Sequence, residues 1–155
     1  MSLEWHVRAA GAPDEAEWRL LWKDYCGFYG VTISRDVTDA LWRRILEGRM
    51  GIHALVAESV AQAEGSRLIG FANYVLHPYT WGKGLMCHVE DLFVAEQARR
   101  RGAGRAIIET LIHMGYDRDW TRIYWHTHES NGVARSLYEK VTPVDPFVRY
   151  VVHLR

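Results

Sequence analysis

The chain reads as an α+β domain with a mixed, mostly antiparallel sheet flanked by helices. Two observations carry that expectation. Apolar runs of strand length, bounded by glycines and polar turns, alternate with stretches whose apolar residues recur at helical spacing. Length and composition point the same way. With 155 residues, 48% hydrophobic and 25% charged, the chain suits one domain, 1–155, with a real core.

The elements follow in order. Residues 5–8 form an opening strand. Pro13 stands where a helix begins, and Asp14, Glu15 and Glu17 complement its N-terminal dipole. Leu20, Leu21, Tyr25 and Phe28 continue at helical spacing, and Gly27 and Gly30 end that segment. A second helix is expected over 37–47. Gly48 and Gly51 lead into a strand over 53–59, followed by a turn at 62–66 and a strand over 68–76. Residues 78–84 form a loop centred on Trp81, and 86–94 form the fourth strand. The main helix covers 102–116, with Ala106, Ile107, Ile108, Leu111 and Ile112 along one face. A strand over 122–127 and a helix over 131–139 come next. Pro143 and Pro146 mark the connector to a final strand over 147–154.

The most informative stretch joins the fourth strand to the main helix. An apolar strand enters a loop, Arg99-Arg100-Arg101-Gly102-Ala103-Gly104-Arg105, and a helix begins there. Backbone N–H groups in a helix's first turn lack intrahelical partners, and the helix dipole adds partial positive charge. The expected ligand is phosphorylated. A P-loop is excluded, because no Lys-Ser or Lys-Thr pair follows any glycine. The dinucleotide fingerprint is excluded too, because Arg105-Ala106-Ile107 supplies no third glycine.

Arg-x-x-Gly-x-Gly after an apolar strand resembles the acetyl-CoA pyrophosphate loop of the GNAT superfamily of N-acetyltransferases. Downstream, Asn131-Gly132-Val133-Ala134-Arg135-Ser136-Leu137-Tyr138 resembles that family's second signature, Asn-x-x-Ala-x-x-Leu-Tyr. The strand with Glu90-Asp91-Leu92-Phe93-Val94, and the run at 124–131, look most like the small histone and polyamine (diamine) acetyltransferases. One departure is visible. Many relatives open the loop with Arg-Gly, where this chain has Arg99-Arg100.

The resemblance implies a GNAT fold whose fourth and fifth strands splay into a V, with acetyl-CoA as cosubstrate and no metal. Residues 99–105, with Gly102, Ala103 and Gly104 bare or small, would hold the pyrophosphate. The free edge at Leu92, Phe93 and Val94 would pair with pantetheine amides. Asn131, beside Ala134, would meet pantetheine or cap its own helix.

Acetyl transfer to an amine sets three requirements. An alkylammonium titrating at ~10.4 must lose a proton, the thioester carbonyl needs a donor as it gains charge, and the departing thiolate needs a proton. The resemblance makes Tyr138 the general acid and favours Glu90 as base, directly or through water. His88, two residues from Glu90, competes for that role. A backbone N–H near Leu92 would polarise the carbonyl. Glu90 and Asp91 are neighbours on a strand, so they should face opposite ways, and Asp91 should anchor positive charge on the acceptor. Tyr25, Tyr29 and Trp81 would wall the acceptor site. Glu129 adds to the local acidity, which favours a polyamine or lysine-like amine. Amino acids, aminoglycosides and protein amines remain alternatives on the same fold. A non-catalytic acyl-CoA sensor is the rival from another class, and the joint presence of Tyr138 and Glu90 argues against it.

The remaining signals bound the setting. Net charge is +0 with pI near 7.1, against nucleic acid as a partner. Cys26 and Cys87 form no Cys-x-x-Cys and suit reduced thiols in a cytoplasmic protein. No secretory pattern opens the chain, and no apolar stretch reaches about 18 residues, so no membrane partner is expected. His126 and His128 share a face of the fifth strand without an evident third ligand. The final strand is apolar at alternating positions, so its exposed edge should make a homodimer.

Overall fold

The computed structural model describes residues 5–60 and 67–155. The turn expected at 62–66 lies outside them. Five strands lie in the order β1-β2-β3-β4-β5: β1 Trp5–Ala9, β2 Ile52–Ser59, β3 Leu68–Pro78, β4 Leu85–Val94 and β5 Arg122–Trp125. Pairings among the first four are antiparallel, and β4 pairs β5 in parallel. Four helices flank the sheet: α1 Glu15–Phe28, α2 Arg35–Glu47, α3 Ala103–Asp117 and α4 Gly132–Tyr138.

Residues 54–57 and 70–74 are buried in unbroken runs. Such runs mark central strands covered on both faces. On one face, Trp18 and Leu21 of α1 and Trp42 and Ile45 of α2 pack on Val56, Phe71 and Phe93. On the other, Ile107 and Leu111 of α3 pack on Leu55, Ala72, Cys87 and Val89. The α2 boundaries follow from local chemistry. Ser34 Oγ accepts from the Val37 N–H at 3.4 Å, and Gly48 closes the helix in the left-handed region.

A charged knot ties β1 to the start of α1. The Asp14 side chain is 1% exposed; Arg8 donates to its two oxygens at 2.7 and 2.8 Å, and the Gly11 N–H donates at 2.8 Å. The Arg8 guanidinium holds the Asp14 carboxyl below its ordinary range, against the cost of desolvation.

Two irregularities in β4 matter for the site. Asn73 pairs with Asp91 and Tyr74 with Val89, so Glu90 has no partner across the ladder. An extra residue of this kind is a β-bulge. It reverses the strand's faces. Cys87 and Val89 point to the α3 side, while Phe93 packs with α1 and α2. Without the bulge all three would share one face. The second irregularity is the end of the β4–β5 ladder at Val89↔Trp125. Beyond it, β4 continues to Val94 with no β5 partner, and the sheet is splayed as expected.

Two expected strands are corrected. The fifth ends at Trp125, so His126 and His128 do not lie on a strand. The final strand over 147–154 does not form, and Phe147 and Tyr150 are 85% and 92% exposed. Alternating apolar residues provide the capacity to pair, but the chain's own sheet offers this run no ladder: β5 pairs only with β4.

Candidate functional site

A cleft opens where β4 and β5 part. β4 supplies Val89, Glu90 and Leu92, and α3 supplies Ile108. Tyr25 comes from α1 and Tyr29 from its C-cap, Trp125 ends β5 with His126 just beyond it, and Tyr138 comes from the last turn of α4. Five residues expected at the site, Tyr25, Tyr29, Glu90, Leu92 and Tyr138, are thus brought together from two helices and a strand.

Tyr138 stands edge-on to Trp125, ring centroids 5.4 Å apart. Burial, with a smaller contribution from Tyr29, pushes its phenol up to about 12. The hydroxyl therefore keeps its proton at neutral pH, as a proton donor must. Glu90, also in the lining, is the bulge residue. Its Oε1 is 3.3 Å from His88 Nδ1. That hydrogen bond holds the Glu90 carboxyl below its ordinary range, outweighing desolvation. His88 is in turn stacked on Tyr124, with centroids 4.6 Å apart and planes within 3°.

Asp91 is placed differently from the expectation. The bulge carries it to the α1 side, where Asn73 Nδ2 donates to it at 3.0 Å. Burial raises its carboxyl above the ordinary range, and hydrogen bonds from Asn73 and the Tyr25 hydroxyl oppose the shift. It supports Tyr25 and is not among the residues lining the cleft. Asn73 is 2% exposed, and its Oδ1 has no protein partner. Trp81 is 86% exposed on the β3–β4 loop, packed against Tyr79, and does not reach the cleft either. Glu129 is likewise absent from the lining, so Glu90 is the acid that faces the opening.

The basic loop forms a cradle at the other end of the V. Arg100 has φ 63° and Gly102 φ 89°, both left-handed. The departure at Arg100 thus falls at a backbone position that favours glycine. The first α3 bond runs from the Ala106 N–H to the Gly102 carbonyl at 2.9 Å. The N–H groups of Ala103, Gly104 and Arg105 consequently have no acceptor within the helix. A Cβ at Gly104 would stand 3.5 Å from Leu137 and 3.7 Å from Val94, in ordinary contact. The protein's own packing does not demand glycine there; an anion approaching the helix start gains from it. Arg99 donates from Nε to the Val94 carbonyl at 2.9 Å and lies over Phe28 and Phe93, pinning the loop to α1. Arg105 pairs with Glu109 at 2.7 Å. These features fit a pyrophosphate. Asn131 Oδ1 caps α4, accepting from the Ala134 N–H at 3.3 Å.

His128 Nδ1 is engaged with Ser130 Oγ at 2.6 Å. Among the described residues no group of three His, Cys, Asp or Glu is arranged to hold a metal, and no helix is long and apolar enough to cross a membrane. Sequence reasoning missed Ile108, Trp125 and Tyr124 as site residues. Tyr124 is a strand residue with no chemical motif, and only its register opposite His88 reveals its part.

Comparison with known proteins agrees with this geometry. The family model described as Acetyltransferase (GNAT) family matches residues 15–142. The chain is 31% identical over 135 residues to the D-amino-acid N-acetyltransferase HPA3 of Saccharomyces cerevisiae, covering 87% of this chain and 82% of that protein. It is 27% identical over 103 residues to the thialysine N-epsilon-acetyltransferase of Caenorhabditis elegans, covering 66% and 60%. The solved structure of AAC(6')-Iy with the bisubstrate analog CoA-S-monomethyl-acetylneamine superposes with a TM-score of 0.79 at 18% identity, over 99% of both chains. A basic cradle, a splayed sheet and a half-buried tyrosine are thus set in a chain that belongs to the acetyltransferase (GNAT) family and is an N-acetyltransferase.

Proposed function

We propose that the protein acetylates a small primary amine, taking acetyl directly from acetyl-CoA when both are bound. The observation that carries this reading is the end of the β4–β5 ladder at Val89↔Trp125, with Glu90 and Tyr138 both lining the opening. The cradle from Arg99 to Arg105 and the α3 N-terminus would bind the pyrophosphate. The unpaired edge at Leu92, Phe93 and Val94 would bind pantetheine as a pseudo-strand. Bound there, acetyl-CoA supplies an activated acetyl thioester.

Each remaining step falls to a side chain or backbone group. Glu90 accepts a proton from the acceptor ammonium. A β4 N–H near Leu92 donates to the carbonyl oxygen as charge builds on it. Tyr138 gives its phenolic proton to the departing sulfur. The Tyr25 and Tyr29 rings and the Glu90 carboxylate favour a cationic acceptor.

A second reading has its own observation. The Arg149 charge acts on both Glu90 and His126. A guanidinium near the opening suits an acceptor that also carries a carboxylate. The yeast relative is named for D-amino acids, and the nematode relative for thialysine. The acceptor would then be an amino acid.

Release of free thiol from acetyl-CoA across polyamines, lysine analogues, D- and L-amino acids and aminoglycosides tests both readings. Activity with diamines and none with amino acids supports the first, and the reverse supports the second. No thiol release with any amine rejects catalysis in favour of an acyl-CoA sensor. We further propose a cytoplasmic homodimer. The exposed 147–154 run supports it, with alternating apolar residues left unpaired in the single chain. A monomeric mass by light scattering at micromolar concentration rejects the dimer.

A further inference from the structure

We propose that Ile108 limits the length of the acyl chain the enzyme accepts, so that acetyl-CoA is used and thioesters of longer straight-chain acids are refused. The inference rests on the acetyl-transfer reading and adds a specificity-determining residue to it. The cleft has two kinds of wall. Tyr25, Tyr29, Glu90 and His126 bring polar groups to it, whereas Val89, Leu92, Ile108 and Trp125 bring apolar surface. Ile108 is 2% exposed and Val89 5%. Both are branched at Cβ and have few side-chain orientations open to them. A close-packed interior of this kind does not move aside for an added methylene.

The α3 face beneath the opening changes along its length. Gly104 and Ile108 are four residues apart on the helix and share that face. At Gly104 an added Cβ would meet Leu137 and Val94 only in ordinary contact, so the missing side chain leaves room that the fold itself does not need. One turn further on, Ile108 fills the same face with a branched side chain. The bare position marks where the cofactor passes, and the filled one marks where its acyl end must stop.

The reacting atoms fix which end of the thioester meets this wall. Tyr138 must stand within hydrogen-bond reach of the sulfur, and its ring is edge-on to Trp125 with centroids 5.4 Å apart. Trp125 pairs with Val89 where the β4–β5 ladder ends. A sulfur at Tyr138 therefore sets the acyl carbon near the closed end of the V. The amine attacks from the side of Glu90, which leaves the alkyl end of the acyl group to the apolar wall. The transfer is the same for every chain length. The bond from nitrogen to the carbonyl carbon forms, the carbon–sulfur bond breaks, the amine proton goes to Glu90 and the sulfur takes the Tyr138 proton. Only the room beyond the carbonyl differs.

Thiol release from acetyl-, propionyl- and butyryl-CoA with one acceptor amine gives kcat/KM for each thioester in wild type, Ile108→Val, Ile108→Ala and Ile107→Ala, with thermal melting of each protein. One methylene in an apolar pocket discriminates by about 10–200-fold. Wild type should favour acetyl over propionyl by about tenfold or more, and over butyryl by about 10²-fold or more. Ile108→Val should raise the propionyl-to-acetyl ratio by about tenfold, and Ile108→Ala should raise the butyryl-to-acetyl ratio by at least about as much. Ile107 is the next residue on α3, 0% exposed and outside the cleft lining. Ile107→Ala should lower the melting temperature and leave both ratios within about twofold. A wild-type enzyme that uses butyryl-CoA as well as acetyl-CoA overturns the proposal. An unchanged ratio in Ile108→Val also overturns it, and that variant, one methylene smaller, decides the matter if Ile108→Ala does not fold. A shift in Ile107→Ala as large as in Ile108→Ala overturns it too, because loosened α3 packing would then be the cause. No thiol release from acetyl-CoA with any amine would instead overturn the acetyl-transfer reading.

Discussion

Replacing Tyr138 with Phe removes one hydroxyl from the cleft and keeps the ring. The edge-on contact with Trp125 at 5.4 Å therefore survives, and any kinetic change reports on the hydroxyl. The phenol is pushed up to about 12, well above a working pH near 8. Almost every wild-type molecule thus carries the proton the thiolate needs. General acids contribute about 10²–10⁴-fold. A thiol with a pKa of ~8.5 leaves with little help, which sets the expectation at the lower end. A loss of about 10²-fold in kcat corresponds to ~2.7 kcal/mol of transition-state stabilisation. The KM for acetyl-CoA should barely move, since the proton is passed only as the sulfur departs. Steady-state thiol release between pH 6 and 10.5 measures both quantities, and calorimetry with CoA confirms that the variant still binds. The pH axis adds an independent check. With a folded-state value about two units above a free phenol, Tyr138 stays protonated through the whole range. It contributes stability fully present below ~10 and lost as pH rises through about 12, and the Phe variant lacks that loss. A folded Phe variant with unchanged kcat refutes the assignment. A wild-type alkaline limb near pH 9 that the Phe variant lacks would instead keep Tyr138 as the acid and contradict only the raised phenol.

Asp14→Asn should cost about 3 kcal/mol, because it breaks a buried carboxylate held by Arg8, Arg67 and the Gly11 N–H. Chemical denaturation checks the size, and a loss under about 1 kcal/mol contradicts it. The Asp14 carboxyl lies below its unfolded value in the folded state, so its contribution is complete above ~4 and vanishes as pH falls through the folded value. Wild-type stability should therefore drop more steeply than the variant's in acid. Arg100→Gly relieves a left-handed non-glycine residue at φ 63°. Strain relief of about 1–2 kcal/mol should outweigh the greater freedom of glycine in the unfolded chain, about 0.4–1 kcal/mol, and raise the melting temperature. A lower melting temperature means that the Arg100 side chain makes a contact worth more than the strain. Gly104→Val places a branched side chain where the pyrophosphate approaches and should raise the CoA dissociation constant by about tenfold or more, the scale of one lost charge-assisted bond. Calorimetry at matched stability reads it, and an unchanged constant removes the loop from the cofactor site.

The regular parts of this molecule were legible because their signals are local. A helix face at 106, 107, 108 and 111, a glycine in the left-handed region at 102 and a basic loop between strand and helix are all written within a few residues of one another. The site is made where that regularity breaks. Strand alternation sends Glu90 and Asp91 to opposite faces, and the bulge overrides it by leaving Glu90 without a cross-strand partner. In the sequence the only trace is a pair of acids interrupting an apolar alternation, and nothing there says which residue will be extra. Asp91 finds Asn73 18 residues away across the ladder, a partner set by register alone. The same holds for His88 against Tyr124, which meet because a parallel pairing places them opposite each other. The C-terminal run teaches the complementary lesson. Its alternation is a property of the segment, but a strand is a property of two segments, and the second is absent from the described chain's own sheet. Chemistry-bearing residues were found through spacing motifs, which survive such irregularities because they count residues along the chain. Their orientation depended on counting across the sheet. A bulge at Glu90 and a ladder ending at Val89 therefore act together: the first turns a carboxylate toward the opening, and the second leaves the strand edge beyond it unpaired by β5.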